Sequence, residues 1–313
     1  MINGIPGTQN ETRNLRRLAA QKQLYSEAKN VQGLQILVST PAVIVWSVVA
    51  LFVPAVKVYA ALWACLATLA DVLFFSPLIK AKKASAAKIQ EEFDCEVLDL
   101  PWSDCKLGEH PEPELVSNYR RQAERDRELT AFRDWYPILA GEVPLHIGRL
   151  ICQRSSCWWD RTLREKYSRA SLAILLAGMV VIVVLAMLSG ATVSNLIVAV
   201  LLLQPSIILA VKAYREHVDA ASNADRLRRS AEMLWRRSVS GQLASEESRH
   251  EARLLQNEIY DHRAKSPLVF DWLYKRMRAG TETQMLDGAA ELVEEYKRLR
   301  PQSMPSSENP GEM

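Results

Sequence analysis

VYAALWACLATLADVLFFSPLIKAKKASAAKIQEEFDCEVLDLPW (residues 58–102) decides how this chain is read. Its first 22 residues carry one charged side chain, Asp71, and match the roughly 20 apolar residues that cross a ~30 Å hydrocarbon core. Lys80, Lys82, Lys83 and Lys88 then arrive with no helix breaker before Phe93, so the spacing predicts a spanning helix that runs on into water. CEVLDL (95–100) is short and apolar enough for a strand, with an irregular turn as the alternative, and Pro101 stops the run.

Three more apolar runs lie outward from this one: LQILVSTPAVIVWSVVALFV (34–53), LAILLAGMVVIVVLAMLS (172–189) and VSNLIVAVLLLQPSIILAV (193–211). Four runs in two close pairs predict an all-α membrane protein: four transmembrane helices in two hairpins, with a mainly helical cytoplasmic module. Bases crowd the flanks at 13–29, 80–88, 161–169 and 212–229, whereas the turns near 55 and 190 hold little beyond Lys57. The positive-inside bias therefore places both termini and the central segment in the cytoplasm of a multi-pass protein. The expected organisation is a juxtamembrane helix (1–33), hairpin 1 (34–79), a central segment (80–171), hairpin 2 (172–211), C-terminal helices (212–300) and a disordered tail (301–313).

A net charge of +3 with no dense basic run argues against nucleic-acid binding. Five cysteines without a CxxC pair favour reduced thiols. The polar, helix-prone N-terminus does not read as a cleavable leader.

The soluble parts read as helices. NLRRLAAQKQLYSEAKN carries a loose stripe at Leu15, Leu18, Leu24, Tyr25 and Ala28, suited to lipid or to the protein's own helices. SDCKLGEHPEPE is a loop, and residues 114–139 form a charged helix with sparse apolar positions. If the helix leading to the third run is straight, Trp159 lies roughly 16 Å below the membrane boundary, too deep for an aromatic belt. Past the fourth run, Val211, Tyr214, Val218, Ala221, Ala231 and Leu234 form a heptad-like seam broken by Asp225 and Arg228, open to oligomer or intrachain packing. Residues 245–263 form another helix. Thr281 and Gln284 form a capping box for a last one.

No P-loop, GxSxG, HExxH or metal-spaced cluster occurs, so catalytic residues, metals and cofactors are assigned to none and an enzyme is not expected. Asp71 stands apart, because a carboxylate at that depth costs at least ~2.5–3.5 kcal/mol. It is either a packing group bonded to Thr40, Ser47, Asn195 or Gln204, or a pore-lining carboxyl.

RNLRRLAAQKQLYSEAK, KIQEEFDCEVLDLPW and CQRSSCWWDRTLREKY together resemble the SMODS-associated four-transmembrane effector family over most of the chain. QEEFD with a following L-P-W (Gln90–Asp94, Leu100–Trp102) is the most specific element, then CQR with W-D and L-R (Cys152–Arg154, Trp159–Asp160, Leu163–Arg164). The resemblance implies a membrane effector of bacterial anti-phage signalling (CBASS). It would be activated by a cyclic oligonucleotide second messenger from a cognate cGAS/DncV-like nucleotidyltransferase. It would then form pores in or disrupt the inner membrane in an abortive infection, as a homo-oligomer in the lipid bilayer. A membrane-embedded enzyme or passive scaffold is the alternative.

Glu91, Asp94 and Arg164 are the expected coupling residues: KIQEEFDCEVLDLPW is the joint where the second run meets the cytoplasmic module, and its acids are expected to hold bases of CQRSSCWWDRTLREKY, the matching joint at the third run. Arg149, Arg154, Trp158 and Arg161 are the candidate ligand-binding set, since Arg suits phosphates and Trp suits bases. Arg154, Trp158 and Arg161 share one helix face at spacings of four and three, and an Arg/Trp face packed on the QEEFD joint is the structural alternative. Arg276 and Arg278 are the fallback.

Overall fold

The computed structural model describes residues 2–39, 41, 42, 45, 49, 57–126, 128–188 and 193–299. Half of the first apolar run, the turns near 55 and 190 and the tail lie outside them. Among the described residues there are helices and no strand. The helices are α1 Ile5–Thr8, α2 Thr12–Ser39, α3 Lys57–Ala70, α4 Ser76–Val97, α5 Asp104–Leu107, α6 Pro113–Asp126, α7 Leu145–Leu188, α8 Val193–Val239, α9 Ser245–Lys265 and α10 Asp271–Leu299. Among the described residues no helix is long and apolar enough to cross a membrane.

α3 and α4 are joined without a break by a π-helical turn, Asp71–Phe75, so the helix does run on past Lys80. The buried positions of α4 include Ala86, Ile89, Gln90, Phe93 and Val97, a stripe at spacings of three and four. It packs on α2, whose Leu15, Leu18, Leu24 and Ala28 are buried in turn. The N-terminal stripe thus meets the protein's own helices. Burying side chains such as Phe93 contributes roughly 1.5–3 kcal/mol each, and Phe93→Ala would cost about 3–5 kcal/mol.

α7 and α8 form the longest pairing, and α9 and α10 lie against them. Along α8, Ala220, Ala221, Ala224, Leu227, Ala231 and Leu234 are buried. That upper seam is intrachain packing, and the interrupting Asp225 and Arg228 bond to each other at 3.0 Å. Val211 and Val218 are exposed, so the seam is not continuous. α7 begins at a tight crossing: a Cβ on Gly148 would meet Ala140 O at 2.5 Å and Asn3 Nδ2 at 2.8 Å. Asn3 is there because its amide donates to Ala140 O and Val143 O at 2.7 and 2.8 Å.

Four local expectations are corrected. CEVLDL is not a strand: α4 continues through Cys95–Val97, and the turn alternative holds only for the end, where Leu98 and Asp99 close the helix with Asp99 at φ 49. Leu100 N donates back to Cys95 O at 2.8 Å, the six-to-one bond of a helix C-terminus in which a short polar residue tolerates the left-handed region. The charged helix expected over 114–139 ends at Asp126, giving way to 3-10 turns at Leu129–Phe132 and Ile138–Glu142 with Asp134 at φ 56 between them. The loop expected over 103–114 contains the single turn α5. The Thr281 box does not start a helix either. α10 passes through it unbroken, and Thr281 is buried as the acceptor of a 2.7 Å bond from Lys166 Nζ.

Candidate coupling site

Glu91 and Asp94 lie one turn apart on α4 and are both fully buried. Helical geometry sends Glu92 to the other side, where it meets Arg17 of α2 at 3.1 Å. Two unpaired buried carboxylates would be untenable, so each needs a cation and donors. α9 supplies them. Arg253 Nη2 donates to Glu91 Oε1 at 2.6 Å, and Arg263 Nη1 donates to Asp94 Oδ2. Between them Gln256 Nε2 bridges both acids, 2.9 Å from Glu91 Oε2 and 2.9 Å from Asp94 Oδ2. Tyr136 closes the last face with a 2.6 Å hydroxyl bond to Asp94 Oδ1.

The network continues into α7. Gln153 Nε2 donates to Gln256 Oε1 and to Ala252 O, each at 2.9 Å. Lower down, Asp160 Oδ2 lies 2.6 Å from His262 Nε2 and accepts from Arg164 Nε at 2.6 Å. Arg164 Nη1 also donates to Pro267 O at 2.9 Å, and His262 Nδ1 meets Asn223 of α8 at 3.0 Å. α9 is thereby bonded through polar side chains to α4, α7 and α8.

Burial, then the Asp94 charge, pushes the Glu91 carboxyl up, against the pull of Arg253 and Arg263. Burial also works against ionising Asp160, but Arg164 and His262 hold its carboxyl well below the usual range. Tyr136 is raised well above the usual phenol by burial and Asp94. Burial pushes the Cys95 and Cys157 thiols up to about 12, so they remain protonated at neutral pH. Among the described residues no group of His, Cys, Asp and Glu is placed to hold a metal ion.

Of the expected coupling residues, Glu91 and Asp94 come together, and Arg164 does not reach either. It belongs to the Asp160–His262 site, and the bases holding Glu91 and Asp94 come from α9. The pairing was invisible in spacing, with partners 162 and 169 residues apart. One signal was available: Ala252, Arg253, Gln256, Ile259 and His262 recur at helical spacing on a segment otherwise too polar to pack.

The candidate ligand set separates. Arg149 is buried at the end of α4, donating to Leu98 O at 2.6 Å and Asp99 O at 3.1 Å, a cation satisfying helix C-terminal carbonyls. Arg154 and Arg161 face α8 instead, with Arg161 Nη1 2.8 Å from Asp225 and Arg154 Nε 3.6 Å from Glu232. Trp158 between them is half-buried. The alternative packing of this face on the QEEFD joint is replaced by packing on the α8 acids. Trp102 stacks on His110 at 4.2 Å, and Trp135 sits edge-on to Phe93 at 6.3 Å. The fallback side chains Arg276 and Arg278 lie outside the described ones.

Asp71 opens the π-helical turn. Its Oδ1 accepts from Gln35 Nε2 at 2.6 Å and Ser76 Oγ at 2.8 Å, so its partners are neutral and come from α2 and the next turn. The expected partners Thr40, Ser47, Asn195 and Gln204 lie, wholly or in their side chains, outside the described residues. π-helical turns recur at functional sites.

The family model of the SMODS-associating 4TM effector domain matches residues 3–292. The chain belongs to this family. It is also similar to a probable CBASS effector molecule of Bacillus cereus (strain VD146), 22% identical over 189 residues, which covers 60% of this chain and 62% of that protein. The match therefore spans less than two thirds of the relative's length. No solved structure matches the chain.

Proposed function

We propose that this SMODS-associating 4TM effector acts in CBASS anti-phage defence as a membrane effector. A cyclic oligonucleotide from a cognate nucleotidyltransferase switches it on, and it opens or disrupts the inner membrane as a homo-oligomer. Four apolar runs of spanning length, with bases on their shared side, support four transmembrane helices and cytoplasmic termini. The chain is read as a non-enzyme that works by changing shape.

The observation that carries this reading is the buried junction on α4. The helix that continues from the second apolar run ends in two fully buried carboxylates clasped by α9, and α9 is clasped in turn by α7, the helix that leads into the third run. A ligand that moves α9 must move both hairpins, because neither acid tolerates losing its cation.

Purified protein in liposomes tests the reading. Dye release on adding cyclic oligonucleotides supports it; chemical turnover without release would favour a membrane-embedded enzyme, and neither would favour a passive scaffold. Cysteine labelling in intact cells checks the topology. Positions near 55 and 190 should label from outside and those near 30, 120 and 250 should not; outside labelling near 120 would overturn the orientation.

A further inference from the structure

We propose that the arginine ladder where α7 meets α8 is an anion-binding face for a soluble phosphate ester carrying more than one negative charge. The inference deepens the functional reading above and rests on it for the identity of the ligand.

The ladder runs up both helices. Arg161 meets Asp225 at 2.8 Å; Asp225 also meets Arg228 and Arg229, each at 3.0 Å. Glu232 meets Arg228 at 2.8 Å and Arg236 at 3.1 Å, with Arg154 Nε 3.6 Å away. Arg154 Nε is buried and makes no hydrogen bond. Arg237 has no ion pair among the described residues. Counting Glu165, which pairs with Arg161 at 2.8 Å, six guanidiniums face three carboxylates. Four of the six, Arg228, Arg229, Arg236 and Arg237, line with the single acid Glu232 one open depression of about 660 Å³ on the α8 side, whereas Arg154 and Arg161 of α7 lie outside its lining. Ligand sites commonly run from roughly 300 to 1,000 Å³.

The chemistry selects phosphate. Guanidinium forks match phosphate oxygens in pairs, and here the carboxylates hold several forks in place before any ligand arrives. A phosphate bridging Arg229 and Arg237 would leave Asp225 paired with Arg161 and Arg228, and Arg229 itself is 66% exposed on its side chain.

Lipid headgroups carry the same phosphate, but the position disfavours them. If α8 is straight, Arg228 stands roughly 26 Å beyond the end of the fourth apolar run at about 1.5 Å per residue. That exceeds the ~8 Å over which exposed charges act at physiological salt.

The test uses the full chain in phosphatidylcholine nanodiscs, with inorganic tripolyphosphate as the probe in calorimetry. Wild type should bind, with affinity falling as salt rises. Arg229→Gln/Arg237→Gln should bind at least tenfold more weakly with an unchanged unfolding temperature. Arg215→Gln, roughly 20 Å down the same helix, should bind like wild type. Equal affinity in the double variant, or no binding by wild type, overturns the site. Loss of tripolyphosphate binding in phosphatidylglycerol discs would assign the face to lipid and overturn the soluble ligand. Liposome leakage with cyclic di- and trinucleotides separates the two claims. Arginine-dependent tripolyphosphate binding without nucleotide-triggered leakage sinks the activation reading and leaves the site; leakage unchanged by the double variant sinks the site and leaves the activation reading.

Discussion

Glu91 and Asp71 are acids on the same unbroken helical run, twenty residues apart, and are held in opposite ways. Glu91 is sealed from solvent and tied to a guanidinium, a bridging amide and a thiol. Asp71 is only half-buried and meets an amide and a hydroxyl. A charge clasped by a charge resists being moved, because separation leaves both ions stranded. A carboxyl held by neutral donors at a π-helical turn is cheaper to release. The lower end of this helix is built to hold and the upper end to yield.

The largest effect should come from breaking the clasp. Arg253→Met leaves Glu91 without its cation and should cost about 3–5 kcal/mol in chemical denaturation, whereas Glu91→Leu/Arg253→Met should recover most of that loss. Near-equal stability of the single and double variants would remove the distinction between the two ends.

His217 is a second polar group held without a charge. Its ring lies 4.1 Å from Tyr167, its Nδ1 has no hydrogen-bond partner, and burial followed by Arg164 pulls its pKa from 6.5 down to about 3. The native state therefore binds fewer protons than the unfolded chain between those values, so stability is present above pH 6.5 and is lost as pH falls. At pH 5 the loss should be about 2 kcal/mol. His217→Phe, which keeps a ring against Tyr167, should flatten that limb of the stability profile. An equally steep limb in the variant would shift the acid sensitivity to other groups.

Asp71→Leu should reduce ligand-triggered leakage at least tenfold, equivalent to about 1.4 kcal/mol, with insertion and ligand binding intact. Unchanged leakage would reduce Asp71 to a packing group. The smallest effect belongs to the exposed Arg226–Glu258 pair between α8 and α9, 3.0 Å apart. Glu258→Ala should change stability by less than about 1 kcal/mol, and a larger loss would show that charge clasps matter wherever α9 is touched.

What the sequence revealed follows from range. The α4 continuation, the buried N-terminal stripe and the α9 helix are written in local periodicity, and each is found. The end of α4 was misread because CEVLDL carries strand-like residues, while the αL turn at Asp99 depends on Arg149 and Arg249 holding its carbonyl from distant helices. Thr281 and Gln284 mimic a helix start, but no proline interrupts 271–283, and a capping side chain already bonded to Lys166 has no first turn to cap. Glu91 and Asp94 were recognisable as a site; their cations were not, because any arginine of suitable helical spacing competes until tertiary packing chooses.

α7 and α8 are 44 and 47 residues long and unbroken. At about 1.5 Å per residue, Arg228 and residue 205 within the fourth apolar run stand roughly 35 Å apart on one rod. Such a rod is a lever. Tilting it by about 10° sweeps the far end through roughly 6 Å, more than a full helical turn of travel, while the atoms near the pivot barely shift. Mechanical advantage of this kind lets a small rearrangement among arginines become a large displacement elsewhere without any helix having to melt.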